Sequence, residues 1–276
     1  MGHTIMIDTI IKEPQVSVVV TLYNYEKYIS DCIRSILKQD YKNIELIVID
    51  DCSTDNSYAI AKSFKSNNVK VVRLGKNSGY STCKNEGIIR SKGEYIALLD
   101  ADDMMTKNSV SVRVKQALKK NANFVHADAI AVYKNDDLKR CYRLKIKSLP
   151  PYSKKNRAKM LPSILHFPTA YEIHAQTVLI HRDVYKRYGL YEEKLRSCSD
   201  REMWYRLLGR SQKDVPRVNR SHVAVPVAYY RYHNKSMTHY RYKHKDYNKQ
   251  VHSFAKKCYN IRKNKIDSSN TRMWTD

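Results

Sequence analysis

A strand-like run, YIALL at residues 95–99, ends directly in Asp100, Ala101, Asp102 and Asp103. If extended geometry persists, side chains alternate, so Asp100 and Asp102 converge on one side and Asp103 turns to the other. Two carboxylates on one side repel each other unless a cation or a shifted pKa relieves the charge, and a hard divalent ion with oxygen ligands does so. Mg²⁺ typically takes one or two carboxylates and completes its shell with water and phosphate oxygens, which suits a diphosphate. The same residues also read as an acidic turn in which Asp102 or Asp103 caps the following helix. Taken alone, the cluster does not decide between the two.

The elements that must hold this cluster alternate between β-type and helix-type segments through the first hundred residues, the pattern of an α/β domain with a mostly parallel sheet. Strands are predicted at residues 16–21 (VSVVVT), 44–49 (IELIVI), 69–74 (VKVVRL) and 95–99, apolar β-branched runs suited to a sheet covered on both faces. A helix is predicted over 26–38 with Ile29, Cys32, Ile33, Ile36 and Leu37 on its buried side. The next helix has Ser53 or Asp55 as its cap and buries Ile60 and Phe64. Another, over 107–120, buries Val110, Val114, Ala117 and Leu118. In such sheets ligands sit beyond the carboxyl ends of the strands, which points to Tyr23, Asp50, residues 75–79 and Asp100.

The second half is less regular. Residues 134–168 are basic, contain Pro150 and Pro151 and show no sustained periodicity, so a long loop or flap is expected there. Order returns at 175–181, followed by a helix from about Ser199 and a strand near 223–230. In the last forty residues Tyr247, Val251, Phe254, Cys258 and Ile261 recur at helical spacing among lysines and arginines, giving a basic amphipathic helix. It either packs its stripe on its own domain or lies on an anionic membrane surface.

Composition bounds the partners. The 276 residues carry a formal net charge of +24, which favours anionic partners, although AT-rich codon usage supplies lysine without selecting for any. Six scattered cysteines form no CxxC pair and read as reduced bystanders. No run approaches the roughly 20 apolar residues of a bilayer span, and no secretory leader is apparent, so the expected location is cytoplasmic, with the basic tail as the place of any peripheral membrane contact. No GxGxxG follows the first strand, and GKNSG is not a GxxxxGK[ST] phosphate loop, which argues against a dinucleotide-dependent oxidoreductase.

The segment VSVVVTLYNYEKYISDCIRSILKQDYKNIELIVIDDCSTDNS, then GKNSGYSTCKNEGIIRSKGEYIALLDADD, resembles the family 2 inverting glycosyltransferases. HRDVYKRYGLYEEKLRSCSDREMWYRLL and YYRYHNKSM are similar to the family's acceptor-side segments, in the same order. The resemblance covers roughly residues 15–238. It implies a GT-A type α/β fold, in which a Rossmann-like, mostly parallel sheet is fused to an acceptor-binding half and followed by a C-terminal helical tail. Residues 1–105 would bind the nucleotide-sugar, residues 106–238 would supply the acceptor site and base, and 239–276 would form the tail.

The resemblance also implies roles. Thr21 and Tyr23 match positions lining a nucleobase pocket, with the tyrosine as a stacking face. Asp50 matches a carboxylate that contacts base or ribose, with Asp51 and Ser53 in the same turn and Ser53 read as a helix cap. Lys84 would bring positive charge to the donor, and Asn77 and Gly79 would shape the loop before it. Asp100, Ala101 and Asp102 correspond to the DxD motif, with Asp102 as the principal ligand of Mn²⁺ or Mg²⁺ and His233 approaching the same metal. Asp200, at a helix start, matches the general base for a single inverting displacement by an acceptor hydroxyl, with Glu202 behind it; Ser199 stands where the family usually has glutamate.

The expected activity is thus inverting, metal-dependent, hexosyltransferase-like transfer of one sugar from a nucleotide-sugar, with UDP as the expected nucleotide, to a glycan, lipid-linked or protein-linked acceptor in polysaccharide biosynthesis. The Gln-x-x-Arg-Trp signature of processive synthases is absent. Two alternatives are a basic nucleic-acid-binding module and a non-catalytic nucleotide-sugar binder. The first leaves the acidic strand ends unexplained, so nucleic acid is not the expected partner.

Overall fold

The computed structural model describes residues 13–64, 66–133, 141–144, 173–195, 199–208, 218–233 and 236. The predicted tail helix and most of the predicted 134–168 loop lie outside the described residues.

In chain order the elements are β1 (Val16–Leu22), α1 (Ile29–Leu37), β2 (Ile44–Asp50), α2 (Ser57–Ser63), β3 (Val69–Arg73), α3 (Tyr80–Arg90), β4 (Tyr95–Asp100), β5 (Met104–Met105) and α4 (Ser109–Lys120). There follow β6 (Phe124–Tyr133), β7 (Cys141–Leu144), a 3₁₀ turn (Ala175–Thr177), β8 (Leu179–His181), α5 (Arg182–Tyr188), α6 (Ser199–Leu208) and β9 (Arg220–Tyr232). One nine-stranded sheet runs β3-β2-β1-β4-β8-β6-β9-β5, with β7 paired to β6. The first four strands are parallel, β8 is antiparallel to both β4 and β6, and β9 runs parallel to β6. β7 is a correction: a strand antiparallel to β6 lies inside the stretch expected to be loop.

Period-two alternation on β1 sorts the core into two layers. Val16, Val18, Val20 and Leu22 pack with α1, α2 and α4, while Val19 joins Ile47, Ile49, Ile96 and Leu98 under α3, α5 and α6. Each such side chain, fully buried, contributes on the order of 1.5–3 kcal/mol. Both faces covered is what the unbroken apolar strands require. Two predicted core residues are nonetheless surface residues: Leu37 is 42% exposed and Leu118 49%. Each closes the apolar stripe of its helix at the margin, where the stripe turns out to be narrower than the sequence pattern. Among the described residues no helix is long and apolar enough to cross a membrane.

The register brings the chemistry to one edge. Leu22 pairs with Asp50, and Thr21 with both Ile49 and Asp100, so β1, β2 and β4 end side by side. Beyond them the turns are stitched together: the Asn24 amide donates to Ser53 Oγ (3.0 Å), the Thr54 amide to Asn24 Oδ1 (2.8 Å) and the Tyr25 amide to Ser57 Oγ (2.8 Å). This knitting delays the first helix to Ile29, three residues after the predicted start. It also decides between the two predicted caps in favour of Asp55. Ser53 serves Asn24, and the carboxylate that receives the Ser57 amide is Asp55 (2.9 Å).

Two contacts fix the helices that carry the site. Gly87 lets α3 settle on β1, because a Cβ there would meet Val19 Cγ1 at 2.1 Å. On α6, Arg206 binds both oxygens of the buried Glu202 (2.9 and 3.1 Å) and donates to the carbonyls of Tyr188, Gly189 (3.1 Å) and Leu190 (2.9 Å), where α5 ends. Unpaired helix-terminal carbonyls are thereby satisfied.

Gly87→Ala is expected to lower unfolding stability by about 1–3 kcal/mol through overpacking, while exposed Leu118→Lys stays within about 0.5 kcal/mol. Urea midpoints that are equal for the two would show that α3 does not approach β1 this closely. Arg206→Met, which removes the buried ion pair with Glu202 together with the bonds to three carbonyls, should cost about 3–5 kcal/mol in the same assay. A near-neutral result would remove the pair as a strut.

Candidate functional site

β4 delivers Asp100 and then breaks. Ala101 N donates to Thr21 O (3.1 Å), the Asp103 amide to Asp100 O (3.0 Å), and the chain turns. The turn overrides strand alternation, so Asp103 does not point away as predicted. Asp100, Asp102 and Asp103 each offer an oxygen within 4.8 Å of the others. Ala101 is fully buried in the core, its amide already engaged, so its side chain spaces the two aspartates.

The three carboxylates are held differently. Asp100 Oδ1 accepts from Thr21 Oγ1 (3.0 Å) and from the Tyr80 hydroxyl (2.8 Å). Burial, then the nearby Asp102 charge, raises its pKa to about 6, against the opposing pull of Lys84. Asp103 is fully committed: Oδ1 accepts from the Arg231 amide (2.9 Å) and Oδ2 from Gln176 Nε2 (2.5 Å). Burial and its two neighbours hold its pKa well above the usual carboxylate range. Asp102 Oδ2 lies 2.9 Å from His233 Nε2, and Arg231 Nη1 donates to the Asp102 carbonyl (3.0 Å). His233 stacks on Tyr28 (centroids 5.0 Å) and meets Tyr25 edge-on (5.8 Å). The Tyr25 phenol is pushed up by burial and by Asp102, with which it hydrogen-bonds. Burial and mutual repulsion, which raise the pKa values of Asp100 and Asp103, fit an oxygen-seeking divalent cation, with Asp100 and Asp102 presenting the oxygens less fully committed than those of Asp103.

At the end of β2, Asp50 is buried. Its Oδ2 receives the Ser53 amide (3.2 Å) and lies 3.5 Å from Arg73 Nε, while Oδ1 has no hydrogen-bond partner among the described residues. A buried carboxylate oxygen without a donor calls for one from outside. Asp51 fastens the neighbouring loop by accepting the amides of Ser78 (2.7 Å) and Gly79 (2.8 Å). Gly79, at φ 94°, makes the turn into α3. Tyr23 stands beside this edge, 42% exposed.

Asp200 lies in the first turn of α6. Lys84, expected to reach outward to a donor, is wholly buried and turns its ammonium onto Asp200 Oδ1. Glu202, the second carboxylate of that helix, is tied to Arg206. His174 lies close enough to Asp200 to feel its charge, although burial dominates and lowers the His174 pKa. Its ring packs on Tyr230 at 5.0 Å.

The structure thus gathers Thr21, Asp100, Asp102 and His233 in one cluster and Lys84 with Asp200 in another; Tyr80 touches both. Sequence reasoning turned Asp103 away from the site and passed over Tyr25, Tyr80, His174, Gln176 and Arg231. Only Tyr80 left a usable signal: it lies four residues before Lys84, a spacing that stacks side chains on one helix face.

Residues 17–188 match the model of glycosyl transferase family 2. Glycosyltransferase GlyG of Streptococcus pneumoniae is 43% identical over 112 residues, 40% of this chain and 37% of that protein. An uncharacterized glycosyltransferase of Rickettsia typhi is 33% identical over 198 residues, 71% of this chain and 59% of its own length. The Escherichia coli protein WfgD, a UDP-Glc:alpha-D-GlcNAc-diphosphoundecaprenol beta-1,3-glucosyltransferase, is 34% identical over 113 residues, 41% of this chain and 45% of its own. The matched stretches therefore span about two fifths to three fifths of these relatives. Among solved structures, Staphylococcus aureus TarS 1-349 in complex with UDP superposes with a TM-score of 0.61 at 22% identity, covering 80% of this chain and 61% of that one. The sheet is accordingly of the GT-A type. With more than half its length matched by the family model and an acidic triad at the end of β4, the chain belongs to glycosyl transferase family 2.

Proposed function

We propose that this chain transfers a single sugar from a nucleoside diphosphate sugar to a hydroxyl of a glycan or glycolipid acceptor, with inversion at the anomeric carbon. The observation that carries the proposal is the meeting of three kinds of carboxylate along one edge of the sheet. Asp50 has an oxygen with no hydrogen-bond partner among the described residues, Asp100 and Asp102 stand close enough to share a cation, and Asp200, paired with Lys84, lies on α6. Residues up to about 105 would bind the donor, and residues 106–238 would supply the acceptor side and the base.

In this reading Tyr23 stacks on the nucleobase, and Asp50 Oδ1 accepts an imide N–H of the kind uracil presents. UDP is the proposed nucleotide, supported by the UDP held by the TarS neighbour; a Pyrobaculum calidifontis mannosyltransferase of similar fold was solved with GDP-Man and Mn²⁺, at a TM-score of 0.51 and 18% identity. Asp100 and Asp102 would hold the divalent ion, which supplies neutralisation of the departing diphosphate charge. His233, on Asp102, brings an imidazole to the same place and would suit Mn²⁺ better than Mg²⁺. Thr21 and Tyr80 fix Asp100 so that it need not reorganise as charge develops. Asp200, in the first turn of α6, accepts the hydroxyl proton while the acceptor oxygen attacks and the nucleoside diphosphate leaves.

An anionic acceptor such as a lipid-linked diphosphate sugar is supported by the net charge of +24 and by the acceptor in the name of the E. coli relative. The same charge would favour peripheral contact with an anionic membrane.

Calorimetry with UDP, GDP and dTDP, each with Mn²⁺ or EDTA, tests the donor site. UDP affinity should drop at least about tenfold when Mn²⁺ is withheld, and by a similar factor in Asp102→Ala. Affinity that ignores both changes overturns the cation site. Asp200→Asn should lower sugar release from the donor by roughly 10²–10⁴-fold while leaving the UDP Kd near that of the wild type. Unimpaired turnover in that variant would exclude Asp200 as the base.

A further inference from the structure

Tyr80 lies between the two halves of the site, and beyond fixing Asp100 it has been given no role toward the base. Its hydroxyl donates to Asp100 Oδ1 at 2.8 Å. One helical turn later, Lys84 places its ammonium 3.8 Å from the centroid of the Tyr80 ring and 4.5 Å from that of Tyr191. The same ammonium donates to Asp200 Oδ1 and has no other hydrogen-bond partner among the described residues. A lysine head group this deeply buried is stable only where a carboxylate and electron-rich faces replace its water. Here one carboxylate and two ring faces do so.

The frame around it is stiff. Ser81 Oγ donates to the Leu195 carbonyl (2.6 Å), and Asn85 grips both the amide and the carbonyl of Tyr191 (2.8 and 2.9 Å). Gly87 holds α3 against Val19. Tyr80, Lys84 and Tyr191 therefore cannot drift independently. With Oδ1 of Asp200 taken by Lys84, Oδ2 accepts no hydrogen bond among the described residues and is the oxygen left to receive a proton.

We propose that Tyr80 is a positioning residue that links donor binding to the base: its hydroxyl sets the cation-binding Asp100, and its ring, through Lys84, sets the orientation of Asp200. The proposal rests on the assignment of Asp100 and Asp200 made above, and it gives one side chain two separable tasks. Lys84 acts on the base and not on the donor diphosphate.

The test uses the full chain, UDP binding in Mn²⁺ by calorimetry, and steady-state hydrolysis of UDP-glucose or UDP-N-acetylglucosamine with water as acceptor. Tyr80→Phe keeps the ring and loses the hydroxyl; UDP should bind roughly fivefold or more weakly, with kcat within about twofold. Tyr80→Leu loses both; the affinity loss should be the same and kcat should fall a further tenfold to roughly hundredfold, as expected when a reacting group is slightly misplaced. Recovery of kcat by phenylalanine but not leucine is a split that a merely structural role would not give. Equal kcat in the two variants overturns the coupling. Should Tyr80→Leu fail to fold, Lys84→Met decides: kcat should fall at least about tenfold with the UDP Kd within about twofold, and the reverse pattern would put the ammonium on the diphosphate and overturn the proposal. A wild-type chain that neither binds a nucleoside diphosphate nor hydrolyses these donors would overturn the glycosyltransferase assignment itself, and the coupling with it.

Discussion

Three aspartates crowd the end of β4, and charges of like sign within 4.8 Å of each other in a buried place must be relieved. Much of the surrounding structure can be understood as that relief. Arg231 and Gln176 saturate Asp103, Thr21 and Tyr80 meet one oxygen of Asp100, and His233 with Tyr25 attends Asp102. These partners come from β1, α3, the 3₁₀ turn and β9, so the acidic cluster is where distant parts of the chain agree. Neutral donors supply most of the contacts, and they orient carboxylates without cancelling their charge. The remaining repulsion is what a divalent ion would remove.

The sheet makes this agreement geometrically possible. Parallel strands put Asp50, Thr21 and Asp100 at one edge, as α/β topology generally does. β9 then reaches that edge from the other half of the sheet and pairs with β5 just after the cluster, which brings Arg231 to Asp103 and His233 to Asp102. On the opposite face α3 can carry Tyr80 to Asp100 and Lys84 to Asp200 because Gly87 permits contact with β1. A side chain at Gly87 would lift the helix and separate the two carboxylate groups that Tyr80 joins.

What the sequence disclosed follows the range of the forces involved. The four parallel strands were legible because each is a short apolar run whose burial on both faces leaves no other solution, and their ends named Asp50 and Asp100 directly. Helix cores were legible to within one residue, failing at Leu37 and Leu118, where tertiary packing and not periodicity sets the width of the buried face. Asp103 was misplaced because alternation was carried one residue too far, past a turn held by backbone bonds to Thr21 and Asp100. Ser53 resembled a helix cap by type and position, yet its partner is an amide 29 residues earlier. The direction of Lys84 could not have been read at all, since Asp200 is 116 residues away and no local pattern encodes the pair.

An acidic site inside a chain of net charge +24 separates two tasks that charge can perform. The long-range field is positive and draws diphosphates and anionic lipid headgroups toward the molecule, an effect that salt weakens over roughly 10 Å at 0.1 M. At the floor of the cleft the sign reverses, and Asp50, Asp100, Asp102 and Asp200 would repel the anion that the field has attracted. In the proposed reaction a diphosphate would approach readily but settle only together with a cation, while the acceptor hydroxyl would meet an Asp200 that has one oxygen held by Lys84. On that proposal attraction and admission would be controlled by different residues, and selectivity for a metal-loaded donor would follow from the local carboxylates, not from the overall charge.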